Sequence, residues 1–178
     1  MTTAARGRSC AITVQCFDVT VDLSPSAPSS AAAGLARAHS ARFKKSVVFI
    51  ATLGDVVQGH SLITTVVKNS ALWLGVGDGA VVAALANARL VEIHGLEVSP
   101  TQRSRGVATA LLRAQLIWLA EHPSLLAVAE VWRGDPSIDH IAGQLGIWLG
   151  QSPDEHVDHY KYDAEIARAY LNEHTQSF

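Results

Sequence analysis

The sequence predicts an α/β fold: a mixed, mostly antiparallel sheet flanked by helices. Three observations carry that expectation. Residues 47–52 and 56–67 are runs of apolar and β-branched residues joined by the short turn Leu53-Gly-Asp55, which makes an antiparallel hairpin. Residues 89–99 form another such run that passes through a short basic turn into a long apolar helix, 106–121, and on into the buried strand 125–132. A strand–helix–strand crossover of that kind makes its two strands parallel.

The remaining elements follow in order. Residues 1–9 carry no structural signal and are expected to be flexible. Residues 11–23 alternate and read as the first strand. A Pro/Ser-rich loop, 24–30, leads into Ala- and Arg-rich helix over 31–45. Gly59 inside its strand signals a bulge or a close neighbour. Residues 68–88 are an atypical insert: Gly75-Val-Gly-Asp-Gly79 is a turn cluster, and 80–86 is either a short helix or a strand. The insert lies over an acceptor pocket, at a subunit contact of a homodimer, or simply on the surface. In the helix 106–121, Leu112, Leu116 and Leu119 share one face, and Pro123 stops it. Asp135 is an N-cap for a helix ending near Leu145. One or two closing strands over 148–166, with 154–158 as their turn, precede a terminal helix at 164–173.

Composition bounds the function. With 178 residues, 48% of them apolar, the chain is expected to fold as one domain spanning 1–178. A net charge of −2 and no long basic run exclude a nucleic-acid role, and no apolar run is long enough to span a membrane. Cys10 and Cys16 are too far apart along one strand to bridge, which suits a reducing cytoplasm. The histidines show no metal-ligand spacing; His156 and His159, with Asp154 and Asp158, read as a solvated turn, so no metal is expected.

The junction at 99–107 is the most informative stretch. The first turn of a helix has backbone N–H groups without intrahelical partners, and the helix dipole adds positive charge there. Gly106 removes the β-carbon that would hold a ligand away, and Arg103 and Arg105 add full charges. A diphosphate suits that end. Arg103-Ser104-Arg105-Gly106-Val107-Ala108 resembles the acyl-CoA pyrophosphate loop of the GNAT acetyltransferase superfamily, (Gln/Arg)-x-x-Gly-x-(Gly/Ala). Its flanks agree: Leu96-Glu97-Val98-Ser99-Pro100 is similar to the family's Leu-x-Val-x-Pro strand end. Residues 135–147 are similar to a second motif, Asn-x-x-Ala-x-x-Leu-Tyr-x-x-Leu-Gly-Phe. Leu145 and Gly146 match it, whereas Asp135, Ile138, Ala142 and Ile147 depart from it.

The resemblance implies a sheet splayed at its parallel pair, with acetyl-CoA in the split. The backbone of Leu96, Glu97 and Val98 would then line the pantetheine arm, and Asp135 would contact it. The implied reaction is N-acetylation of a primary amine, on a small molecule or a peptide, by direct attack in a ternary complex. Such an amine is protonated at neutral pH and must lose a proton. Glu92 stands eleven residues before Arg103, the interval of the general-base glutamate in histone-type relatives. Strand alternation assigns Glu92, His94, Leu96 and Val98 to one face and Glu97 to the other, so His94 is a second candidate base or helper. The family's proton-donating tyrosine is replaced by Ala142; Tyr162, Tyr160, Ser137 or water are the alternative donors. That replacement leaves a catalytically degenerate acyl-CoA-binding module as the rival reading. The acidic tail, 154–165, would suit a cationic acceptor or simply solvent.

Overall fold

The computed structural model describes residues 12–18, 46–65, 73–134, 136–151 and 156–175. The helix expected over 31–45, the loop at 24–30, the flexible start and the N-cap Asp135 lie outside these residues.

Seven strands form one sheet: β1 (Ile12–Asp18), β2 (Ser46–Leu53), β3 (Val56–Thr64), β4 (Leu90–Val98), β5 (Leu126–Trp132), β6 (Ile147–Gln151) and β7 (Val157–Asp163). Among the described residues four α-helices accompany them: α1 (Gly79–Ala86), α2 (Val107–Ala120), α3 (Pro136–Leu145) and α4 (Ala164–Thr175). The strand order is β1-β2-β3-β4-β5-β7-β6, and among these described strands only the neighbours β4 and β5 run parallel. Both closing strands form, but Val157 and Asp158 belong to β7 rather than to the expected turn.

Each face of the sheet has its own cover. Val107, Leu111, Leu112, Leu116 and Leu119 of α2 pack on Phe49, Ile63, Val91, Ile93, Ala127 and Ala129, and Ala142 and Leu145 of α3 join that core. On the other face, Val81 and Ala84 of α1 pack with Trp73 on Leu90 and Val128. Residues 80–86 are therefore helix. The Asp78 side chain starts it, accepting from the Ala80 and Val81 amides at 2.7 and 3.1 Å. Lys161 of β7 reaches the same carboxylate at 3.1 Å and ties α1 to the sheet. Asp163 caps α4 by accepting from the Glu165 and Ile166 amides, both at 2.9 Å.

Two bulges shape the middle of the sheet. The β2–β3 register skips Gln58, beside Gly59, and the freed Gln58 carbonyl accepts from Ser99 N–H at 2.8 Å. In β3–β4, His60 pairs Glu97 but Leu62 pairs His94, so two steps on β3 face three on β4. The extra residue falls at Gly95, whose φ of +63° is the left-handed conformation a bulge needs. Gln115 of α2 donates to the Leu62 carbonyl beside it at 3.3 Å.

This second bulge corrects the expected alternation of β4. Strict period 2 would set Glu97 opposite Glu92 and His94. The inserted residue reverses the parity, so Glu97 shares their face through its pairing with His60, and Val98 turns to the α2 face with Leu96.

Candidate active site

The turn after β4 ends in an exposed, uncapped helix terminus. Pro100–Gln102 make one 3-10 turn, and the chain then passes through Ser104 and Gly106, both left-handed at φ +60° and +80°. Left-handed residues in alternation turn successive N–H groups toward one concavity, a nest for anions. Holding Ser104 there costs about 1–2 kcal/mol, strain of the kind found at functional loops. No side chain caps α2, and its first backbone bond runs from Ala110 N–H to the Gly106 carbonyl at 2.9 Å. The amides before Ala110 have no intrahelical acceptor. Nothing lies within 4 Å of a β-carbon built on Gly106, so the approach is open. Arg103 and Arg105 are exposed, and neither forms an ion pair among the described residues. These residues fit a diphosphate: five N–H donors per guanidinium and a line of amides meet an anion, with no ion-paired carboxylate in competition among the described residues.

Next to this loop the sheet opens. β4 pairs β5 only from Leu90–Leu126 to Ile93–Ala129. Beyond that the ladder stops, while β5 continues to Trp132 on its β7 side. The opening is a cleft of about 350 Å³. Its α2 side is apolar: Ile93, Leu96, Leu112, Ala129, Val131, Ala142 and Tyr162 line it. Its α1 side carries Glu92, His94, Glu130 and Trp132. The cleft thus passes through the sheet, dry on one side and acidic on the other.

Glu92 is 5% exposed, between its partners Thr64 of β3 and Val128 of β5, one pair before the ladder ends at Ile93–Ala129. Two residues on, His94 is half-buried on the same cleft wall. A carboxylate so buried at a cavity is a candidate for proton transfer.

Ala142 does face the cleft, where the family's tyrosine would stand. Tyr162 reaches the same cavity from β7 and is 2% exposed. Its ring lies against Gly146, where a β-carbon would be 2.6 Å from it, so this position needs a glycine. Burial, reinforced by Tyr160, pushes the Tyr162 phenol well above its ordinary value, so its proton stays on at neutral pH. Tyr160 is also buried on the α2 face, paired with Ala129, but it does not line the cleft. Asp135 and the Ser137 side chain lie outside the described residues.

Asp154 and Glu155 of the acidic tail lie outside the described residues, and the described tail acids stand elsewhere. Asp158 is gripped by Arg133 through two bonds of 2.7 and 2.9 Å and accepts from Trp148 Nε1 at 3.0 Å. Arg133 and Trp148 lower its pKa against the desolvation that burial imposes. Asp163 is a helix cap. The acidity at the cleft comes instead from Glu92 and from Glu130, a residue the sequence reading passed over inside an apolar strand. Its signal was position: it stands two residues after Val128, the partner of Glu92, and so on the same face. His156 stacks on Trp132 and His159 lies against Trp73, so the tail histidines point apart. Among the described residues no three His, Cys, Asp or Glu side chains converge on a metal position, and no helix is long and apolar enough to cross a membrane.

Residues 45–139, just over half of the chain, match the family model described as Acetyltransferase (GNAT) family. Among curated proteins none matches the sequence. Solved structures share the fold at low identity. FeeM, an N-acyl amino acid synthase from uncultured soil microbes, superimposes with a TM-score of 0.55 at 14% identity, covering 75% of this chain and 76% of its own. The ribosomal-protein-S18-alanine N-acetyltransferase from Escherichia coli gives 0.50 at 11%, covering 85% and 91%. An IAA acetyltransferase from Bacillus cereus gives 0.51 at 9%, covering 85% and 98%.

Proposed function

The chain belongs to the GNAT acetyltransferase family, and on that premise we propose that it transfers an acetyl group from acetyl-CoA to a primary amine by direct attack in a ternary complex. One observation carries the reading. The split between β4 and β5 has an uncapped, arginine-flanked helix terminus beside it and a buried carboxylate on its far side.

The residues divide the work. Arg103, Ser104, Arg105, Gly106, Val107 and Ala108 hold the diphosphate. Past Gly95, the backbone of Leu96, Glu97 and Val98 has no strand facing it across the split. Its groups can bond the pantetheine arm, and an N–H there can stabilise negative charge developing on the carbonyl oxygen. The donor supplies an acyl thioester. Glu92, directly or through water with His94, accepts the proton that the attacking ammonium must lose. Tyr162 keeps its proton at working pH and can donate to the leaving sulfur. A thiol pKa near ~8.5 makes that assistance modest, which is how the chain can work with Ala142 in place of a tyrosine.

Ala142 on the cleft wall is the observation that favours the second reading, an acyl-CoA-binding module without turnover. Release of CoA thiol, measured over a panel of primary amines for wild type and Glu92→Gln, decides between them. Amine-dependent release that Glu92→Gln lowers by about 10²–10⁴ supports transfer. CoA binding with no release for any amine supports the module.

A further inference from the structure

We propose that Glu130 and Trp132 form the outer half of the acceptor subsite and select a primary amine that carries a second cationic group. The inference rests on the transfer reaction proposed above and narrows its substrate.

The direction of approach comes first. The diphosphate loop opens α2, and α2 covers one face of the sheet. A donor held there enters the split from that side. The acceptor is left the opposite face, which carries Glu92, His94, Glu130 and Trp132 along the cleft.

Charge comes second. Among the described residues, the cationic side chains adjoining this part of β5 and β7 are each held by an acid. Arg133 is bound in a fork by Asp158 at 2.7 and 2.9 Å, and Lys161 is bound by Asp78 at 3.1 Å. Glu130 faces the His159 ring, 3.8 Å away and 1% exposed, which offsets the carboxylate only when protonated, and shares the cleft with Glu92 and His94. Glu130 keeps about a third of its side-chain surface open to the cleft mouth. Trp132, 62% exposed, stands at the same mouth with His156 stacked against its ring at 5.9 Å. A large indole left in solvent is costly unless something covers it. A carboxylate beside an indole attracts a cation by direct charge and by the ring quadrupole.

Spacing comes third. Glu92 pairs Val128, and Glu130 is two residues further on the same face. One strand spacing and two residue rises separate their backbones by roughly 8 Å. An amine at Glu92 would therefore meet Glu130 with a charge four to six bonds along its chain. An amine with a carboxylate at that distance would be repelled.

The test compares kcat/KM for 1-aminobutane, 1,4-diaminobutane, 1,5-diaminopentane and 4-aminobutanoate, by CoA thiol release. In the wild type the diamines are expected to exceed the monoamine by roughly tenfold or more, with 4-aminobutanoate below both. Glu130→Gln is expected to bring the diamine-to-monoamine ratio down to near one, mainly through KM, and Trp132→Leu to lower the same ratio in part. An equal wild-type preference for the amines, or an equal fall for all of them in Glu130→Gln, overturns the inference. If no amine is turned over, the transfer reading fails, and calorimetric binding of 1,5-diaminopentane to the CoA-saturated protein reads the subsite by itself. Binding that Glu130→Gln weakens about tenfold upholds the subsite; no binding to the wild type overturns it.

Discussion

Gly59 of β3 and Glu97 of β4 approach so closely that a β-carbon on residue 59 would lie 2.6 Å from the Glu97 carbonyl oxygen. The same carbon would lie 3.2 Å from Val107, the first residue of α2. One missing methyl group therefore lets β3, the end of β4 and the first turn of α2 converge. Gly59→Ala must push β4 or α2 away, since the obstacles include backbone. The expected cost is about 1–3 kcal/mol of stability, with a higher KM for acetyl-CoA. Denaturant unfolding and a CoA titration of the same variant check both effects.

Gly106→Ala is the opposite case. Its β-carbon meets nothing within 4 Å, and the penalty is the φ of +80° alone. An L-residue there costs about 1–2 kcal/mol, a shift of only a few degrees in Tm. CoA affinity should fall more than stability, because the loop can relax to a conformation that turns its amides away. Calorimetric CoA affinity, set beside the thermal midpoint, separates the two.

Removing the guanidinium of Arg103 or Arg105 with alanine should raise KM for acetyl-CoA roughly tenfold each, leaving kcat near the wild-type value. Both arginines are exposed, so the effect should shrink as salt rises. Steady-state kinetics at low and high ionic strength check it. A fall in kcat with unchanged KM would contradict the assignment.

Tyr162→Phe keeps the ring over Gly146 and removes only the hydroxyl. With a good leaving group, kcat should fall by about tenfold or less. Unchanged kcat would hand the proton to water or to another donor.

Asp158 governs acid stability. Its folded pKa is lowered below 3.8, first by the Arg133 bond. A depressed carboxylate stabilises the fold above its unfolded value and loses that contribution as pH falls through the folded value. Asp158→Asn should cost about 1–3 kcal/mol near neutral pH. The gap to wild type should hold down to about pH 5 and close below 3.8, where the wild-type carboxylate also protonates. Urea unfolding across that range measures it.

Local chemistry was legible in the sequence where it repeats a pattern. The glycine-and-arginine turn at 103–106 and the parallel pair around α2 follow from strand–helix order, and Glu92 is singled out by the resemblance to histone-type relatives. What escaped depended on a single backbone angle or on residues far apart in the chain. Gly95 turns left-handed and reverses the faces of Leu96, Glu97 and Val98, which no alternation count reveals. Asp158 read as a free turn acid because its partner Arg133 is 25 residues away. Glu130 read as core because its run is apolar, while the opening of the ladder past Ala129 is what exposes it. Residues 80–86 fit helix or strand by pattern, and the Asp78 cap, itself held by Lys161 from β7, decides for helix.

The most direct test is a crystal structure of the protein with coenzyme A. The expected result is the diphosphate on the amides of residues 105–108, flanked by Arg103 and Arg105, with the pantetheine arm in the split between β4 and β5. Coenzyme A bound elsewhere, or a helix terminus at Gly106 whose amides face protein acceptors instead of the phosphates, would contradict it.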